Sequence, residues 1–150
     1  MAVRLKYYIM IVIFILFVIL LGLLSKKNKE AIIIDKEHSY FHDFKIYNGK
    51  VYMYCTITLE NITDNDLSFS IFAESYKDKA NGLITNERMK GYEWEIDEKT
   101  IDMKVTDKKI FFINRKQKIS ELKIVFIGEH GSGNMKDNRN LPDIYIVINK

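Results

Sequence analysis

The segment Lys50–Glu60 reads KVYMYCTITLE, and its side chains alternate between an apolar row and a more polar row. The apolar row consists of Val51, Met53, Cys55, Ile57 and Leu59. A period of two is typical of a β-strand with one face in a core. The pattern therefore predicts a strand, with Cys55 as a small buried apolar side chain and not a reactive thiol.

Two turns join this strand to its neighbours along the chain. Asn48-Gly49, the strongest short signal for a β-hairpin, connects it to Phe44–Tyr47. On the other side, Asn61–Asp66 is rich in Asn and Asp and leads into Leu67–Glu74, where apolar residues again alternate. We therefore expect two hairpins that share the central strand.

Further short strands are separated by Gly, Asn, Asp or Lys clusters. They are predicted at Ile32–Ile34, Thr100–Val105, Ile110–Ile113, Leu122–Ile127 and Ile144–Ile148. Two segments without the pattern, Ser75–Asp97 and Glu129–Asn140, are predicted to be long surface loops. Many short strands in one small domain indicate an all-β sandwich or barrel.

Residues 7–24 read YYIMIVIFILFVILLGLL and contain no charged side chain. As a helix this segment would extend about 27 Å, close to the thickness of a bilayer core, so we expect a transmembrane anchor. The residues expected at the membrane interfaces are Tyr7, Tyr8, Lys26, Lys27 and Lys29. A cleaved signal peptide is the alternative, but the apolar stretch is longer than usual and no small-x-small site precedes the lysines.

The predicted organisation is a tail at 1–6, an anchor at 7–24, a basic spacer at 25–30 and an all-β domain at 31–150. Four lysines lie within the first residues after the anchor, against Arg4 and Lys6 before it. By the positive-inside rule this small excess favours a single-pass protein of the bacterial cell membrane with its C-terminal domain in the cytoplasm. The opposite orientation, usual for a signal anchor, competes with it.

The charge and cysteine content exclude several functions. The chain has 23 basic and 20 acidic residues, and removing Arg4 and Lys6 leaves 21 basic residues against the same 20 acidic ones. This balance gives no reason to expect a nucleic-acid partner. Cys55 is the single cysteine, so an intrachain disulfide and a cysteine-rich metal cage are excluded, and no cofactor is predicted.

His38 and His42 are the first residues to test as metal ligands, since Asp35, Glu37 and Asp43 lie near them. The surrounding sequence is typical of a loop that enters a strand. In extended chain, residues four apart lie about 13 Å from each other. We therefore interpret both histidines as surface residues.

The segment Gly128–Asn134 resembles a phosphate-binding loop only superficially, because no Gly-Lys-Ser/Thr ending and no helix follow. His130, Ser132 and Asp137 are residue types found in hydrolases, but one glycine-rich loop does not fix the geometry of a triad. The chain is therefore predicted to be non-enzymatic. His130, Ser132 and Asn134 remain candidates for a partner-binding loop.

Tyr92 and Trp94, with Met89 nearby, lie in the first predicted loop. They could form an exposed aromatic patch that binds a partner. Alternatively they fold back to cap the core, since large apolar groups rarely stay exposed.

Two resemblances add to these patterns. The alternation at 51–59, the turn at 61–66 and the following LSFSIF at 67–72 resemble the telokin-like, immunoglobulin-fold modules of bacterial surface proteins. Between a sandwich and a barrel, this resemblance favours an antiparallel immunoglobulin-like sandwich. The layout of one N-terminal apolar span, the junction SKKNKE at 25–30 and a β-rich remainder is similar to that of sublancin-type bacteriocin immunity proteins.

The second resemblance implies a membrane-anchored, non-enzymatic protein that protects its producer from a bacteriocin. Its partners would be membrane lipid and either the bacteriocin peptide or the membrane target of that peptide. The alternative function is an outward-facing immunoglobulin-like accessory module of a bacterial envelope assembly, which would require the opposite orientation of the anchor.

Overall fold

The computed structural model describes residues 30–134 and 140–149, which form an all-β domain with one short helix. The compact unit that contains the strands begins at Ala31. Its elements are β1 (Ile32–Tyr47), β2 (Lys50–Asn61), β3 (Leu67–Glu74), α1 (Tyr76–Ala80), β4 (Arg88–Asp97), β5 (Asp102–Val105), β6 (Phe111–Ile113), β7 (Lys118–Glu129) and β8 (Asp143–Ile148). The all-β prediction is confirmed.

The predicted tail, anchor and most of the spacer lie outside the described residues, and so do the interface residues Tyr7, Tyr8, Lys26, Lys27 and Lys29. Within 30–134 and 140–149, no helix is long and apolar enough to span a bilayer.

All strand pairs of the sheet are antiparallel, in the order β1-β2-β7-β4-β3-β6, with β5 paired to β4 and β8 paired to β3. β4 changes partners along its length: its first residues pair with β3, its middle with β7 and its end with β5. Gly91 lies where β4 passes from β3 to β7. A Cβ atom there would lie 2.6 Å from Cγ2 of Ile71 and 2.9 Å from Cγ2 of Ile124, so only glycine fits.

The hairpin predicted at Asn48-Gly49 is confirmed. Both residues have positive φ, 48° and 71°, as a type I′ turn requires. β1 and β2 pair from Tyr47 with Lys50 at the turn to Ile32 with Asn61 at the far end.

The second predicted hairpin is wrong, because β3 does not pair with β2. The turn after β2 leads into a strand that pairs with β4, β6 and β8 instead. Asn61 is buried at the end of β2, and its Nδ2 donates to the carbonyls of Asn65 (2.7 Å) and Asn114 (3.0 Å). Its side chain thereby joins the turn after β2 to the turn after β6.

Two further predictions need correction. Ser75–Asp97, expected to be a surface loop, contains α1 and β4. The sequence did not indicate β4 because charged residues and Gly91 interrupt its alternation. Ile32–Ile34 and Phe44–Tyr47 are the two ends of one strand, β1, which two register shifts interrupt. Of the second predicted loop, Glu129–Asn140, the structure describes residues 129–134 and 140. Glu129 ends β7 and His130 forms a β-bridge with Ile84, so residues 131–134 are the irregular part before Asn140.

The main core joins the inner rows of several strands. Its fully buried members come mainly from the inner rows of β2, β3, β6 and β7 and include Met53, Cys55, Ile57, Phe69, Ile71, Phe111, Ile124 and Phe126. Cys55 belongs to this core, as the sequence predicts, and burial raises the pKa of its thiol to about 12. A thiol in this environment is a poor nucleophile.

Candidate functional site

The outer row of β2, on the face opposite the core, is the starting point of the candidate site. Tyr54, Thr56 and Thr58 of this row are buried, although its polar composition predicts exposure to solvent. A second apolar cluster covers Tyr54, formed with Trp94 of β4 and Val125 of β7. Because β4 and β5 supply this cover, the outer face of the sheet has its own small core.

Trp94 is the centre of the second cluster. Its side chain is only 3% exposed, and its Nε1 donates a hydrogen bond to the carbonyl of Cys55 at 3.1 Å. Its ring meets the Tyr54 ring edge-on, with 5.7 Å between centroids. Lys123 Nζ lies 5.3 Å from the centroid of the Trp94 ring, within range of a cation–π contact. Trp94 is therefore a buried strand residue and not an exposed loop residue.

His42 extends this cluster toward the edge strand. It lies at a bulge, since Phe41 pairs with Cys55 and Asp43 pairs with Tyr54. The His42 ring contacts Trp94 edge-on at 5.3 Å between centroids, and its Nε2 lies 2.7 Å from the Thr56 hydroxyl oxygen. The bulge thus turns a histidine onto the outer face, where its ring shields the tryptophan.

His38 has a separate set of partners. Its Nδ1 lies 2.9 Å from a carboxylate oxygen of Asp35, and Lys118 Nζ lies 3.0 Å from the same atom. Hydrogen bonds with Lys118, which contributes most, and with His38 lower the pKa of Asp35 to about 2. The structure does not bring His38 and His42 to shared ligand partners, and the described residues contain no group of three or more candidate metal ligands.

The outer aromatic surface is the name used below for Tyr40, His42, Tyr52, Tyr54, Tyr92 and Trp94. Tyr40 is 47% exposed and His42 is exposed as well, and their rings lie 4.8 Å apart between centroids. Tyr52 stacks on Tyr54 at 6.5 Å, and Lys45 Nζ lies 5.8 Å from the Tyr54 ring. Aromatic rings held on strands, with lysines beside them, suit an apolar or aromatic partner group.

The glycine-rich loop lies elsewhere in the domain. Its glycines pack against the turn before β4: Gly131 donates its N–H to Leu83, and Gly133 donates its N–H to Gly82, both at 2.9 Å. His130 Nε2 lies 3.2 Å from the carbonyl of Gly133, while Ser132 and Asn134 are exposed. The loop is therefore a connection that packs against this turn. Asp137, the third residue considered for a hydrolase triad, lies outside the described residues.

The predicted site residues lie in two separate places, one in β4 and one in the glycine-rich loop. Glu93 pairs with Ile124 on β7, and His130 follows six residues later, immediately after the end of that strand. At a rise of roughly 3.3 Å per residue, these positions are about 20 Å apart. Tyr92 and Trp94 therefore belong to one surface, and His130, Ser132 and Asn134 belong to another.

Sequence reasoning missed Tyr40, His42 and Tyr54 as members of the aromatic surface. A signal for Tyr54 was present, since two tyrosines stand in the outer row of β2. No local signal places Tyr40 and His42 over Trp94, because that contact depends on a bulge and on β4. Comparison of the chain with models of protein families, with curated proteins and with solved structures finds no match.

Proposed function

We propose that this chain is a single-pass, membrane-anchored immunity protein that protects a bacterium from a bacteriocin without catalysis. The support is the layout of the sequence, with an uncharged apolar segment at 7–24, a basic spacer at 25–30 and an all-β domain after it. This layout is the one in which the chain is similar to sublancin-type immunity proteins. Binding of the peptide or of its membrane target would account for protection.

The outer aromatic surface is the observation that favours binding. A binding protein needs anchor side chains whose conformations are already fixed, because ordering them on association lowers the affinity. Trp94 and His42 are fixed by the hydrogen bonds and ring contacts described above, while Tyr40 remains partly exposed beside them. Tyrosine is also enriched at the energetic centres of interfaces.

The fold and topology are part of the proposal. We infer an antiparallel immunoglobulin-like sandwich, supported by the one core that the inner rows of β2 and β7 share with those of β3 and β6. We also infer an N-out orientation with the domain in the cytoplasm, supported by the lysine excess after residue 24. Membrane-impermeant labelling of a cysteine introduced at exposed Tyr76 of α1 in whole cells tests the orientation. A domain in the cytoplasm predicts no labelling, whereas labelling would favour an outward-facing accessory module of the envelope.

Expression of the full chain in a bacteriocin-sensitive strain tests the function. Cells are challenged with a panel of membrane-active bacteriocins that includes sublancin. The proposal expects survival against one member of the panel and unchanged killing by the others. Unchanged killing by every member, from cells that contain the protein in their membrane fraction, contradicts it.

A further inference from the structure

β6 and the residues around it form an exposed basic and aromatic edge. The sequence from Lys108 to Ser120 contains no acidic residue, and Phe112 and Ile110 are 72% and 45% exposed. Phe112 points away from the core, because its neighbours Phe111 and Ile113 are buried. A large aromatic side chain that stays this exposed on a strand calls for an explanation.

This edge lies close to the place where the chain enters the domain. Ala31 accepts a hydrogen bond from the N–H of Ile62 at 3.1 Å, and Gln117 accepts one from the N–H of Asn61 at 2.9 Å. The turn that follows β6 is therefore next to the first residue of the β domain. Phe112 precedes Asn114 of this turn by two residues, which is about 7 Å along a strand.

The same end of the domain is held rigidly. Asn61 is buried and joins the turn after β2 to the turn after β6, while Asp66 accepts the N–H of Arg115 at 2.8 Å. Lys116 Nζ lies 3.4 Å from a carboxylate oxygen of Asp64, as an ion pair. Among the described residues, Lys109 and Arg115 have no carboxylate within ion-pair distance, so their charges are available to a partner.

The length of the spacer limits how far this end can lie from a bilayer. Residues 25–30 can span at most about 20 Å when fully extended. If segment 7–24 is embedded, Ala31 and the turn beside it therefore lie within that distance of the headgroups. This step rests on the anchor of the proposed function and does not depend on bacteriocin immunity.

We propose that Lys109, Ile110, Phe112, Arg115 and Lys116, here called the basic-aromatic edge, lie on an anionic lipid surface. Phe112 enters the interface between headgroups and acyl chains, where amphipathic and aromatic side chains concentrate. Lys109 and Arg115 meet the anionic headgroups. The contact fixes the orientation of the domain relative to the bilayer. In the proposed function, the bacteriocin peptide or its target reaches the domain from that bilayer.

A second exposed apolar residue provides a matched control. Ile101, at the turn between β4 and β5, is 83% exposed, but the acidic residues Asp97, Glu98 and Asp102 outnumber the one basic residue in this turn, Lys99. The same negative lipid surface repels this turn. By exposure alone, Ile101 would be the better membrane contact. The charges of the neighbouring residues favour Phe112.

The test uses the full chain in vesicles with a polarity-sensitive fluorophore on a cysteine introduced by Phe112→Cys or, as the control, by Ile101→Cys. Native Cys55 is buried and is not labelled in the folded protein. Vesicles are phosphatidylcholine with or without phosphatidylglycerol, and both contain a spin-labelled quencher lipid. We expect quenching at position 112 only, at least about twofold stronger with phosphatidylglycerol and reduced by Lys109→Glu with Arg115→Glu.

Each alternative result has a distinct meaning. Equal quenching at positions 112 and 101, or none at 112 in protein that co-floats with the vesicles, overturns the contact while the anchor stands. Equal quenching at 112 in both lipid compositions overturns its anionic specificity. Failure of the full chain to co-float overturns the anchor and this contact together.

Discussion

The two faces of β2 are both buried, but by different means. Its inner row, with Met53, Cys55 and Ile57, packs into the main core with side chains of β3, β6 and β7. Its outer row is covered locally, by Trp94 and by neighbouring side chains of β4, β5 and β7. Alternation in a sequence predicts which row faces the core, but it does not predict whether a later strand covers the other row. In this domain the covered outer row also forms the candidate binding surface.

The largest expected effect is on the inner face. Ile57→Ala leaves a cavity at a fully buried position, and we expect a loss of about 2–5 kcal/mol in the free energy of unfolding. Denaturant unfolding followed by circular dichroism measures it. A loss below about 1 kcal/mol would place Ile57 in a tolerant region and contradict the description of the core.

The outer face should respond less. Trp94→Phe keeps an aromatic ring but removes the hydrogen bond to the buried Cys55 carbonyl, so we expect a loss of about 1–3 kcal/mol. Tyr47→Phe, at an exposed position of β1, is the matched control and should change stability by less than about 0.5 kcal/mol. Equal effects of the two substitutions would show that Trp94 does not organise the outer cluster.

Cys55 allows the burial of the inner row to be measured chemically. Its pKa is about 12 in the folded protein, against 9.0 ordinarily, because burial disfavours the thiolate. The corresponding stabilisation is fully present below pH 9 and is lost as the pH rises toward 12. Alkylation at pH 9 should therefore be negligible in the native protein and rapid in denaturant. Rapid alkylation of the native protein would contradict the burial.

Asp35 should show the smallest effect, since it lies at the exposed side of β1. Its pKa of about 2 depends first on Lys118 and then on His38. The stabilisation is present above the ordinary pKa of 3.8 and is lost as the pH falls through about 2. Lys118→Ala should move the pKa back toward 3.8 in an NMR titration. An unchanged pKa would mean that the Lys118 contact is not maintained in solution.

Local patterns predicted much of the fold. The strand Lys50–Glu60, the turn at Asn48-Gly49 and the burial of Cys55 all follow from residue types at short spacing, and all are confirmed. The partners of β3 did not follow, because they are the later strands β4, β6 and β8, and because Asn61, at the end of β2, bonds to a turn 53 positions further on. Contacts of that range have no local signature.

The candidate site was less predictable than the fold. Tyr92 and Trp94 were selected as aromatic residues, but the sequence placed them in a loop because Gly91 and the charged residues around it conceal β4. His42 was tested as a metal ligand and interpreted as a surface residue. Its contact with Trp94 requires the bulge in β1, and a bulge changes the face of a side chain without changing the composition of the strand.

Survival of cells with a substitution on the outer aromatic surface tests the central claim most directly. Tyr40→Ala removes an exposed tyrosine of that surface, and Tyr76→Ala removes a tyrosine of similar exposure on α1. Against the bacteriocin from which the wild-type chain protects, we expect Tyr40→Ala to lower the tolerated concentration by about tenfold or more, and Tyr76→Ala to leave it unchanged. Full protection by Tyr40→Ala, at equal amounts of protein in the membrane, would contradict the account.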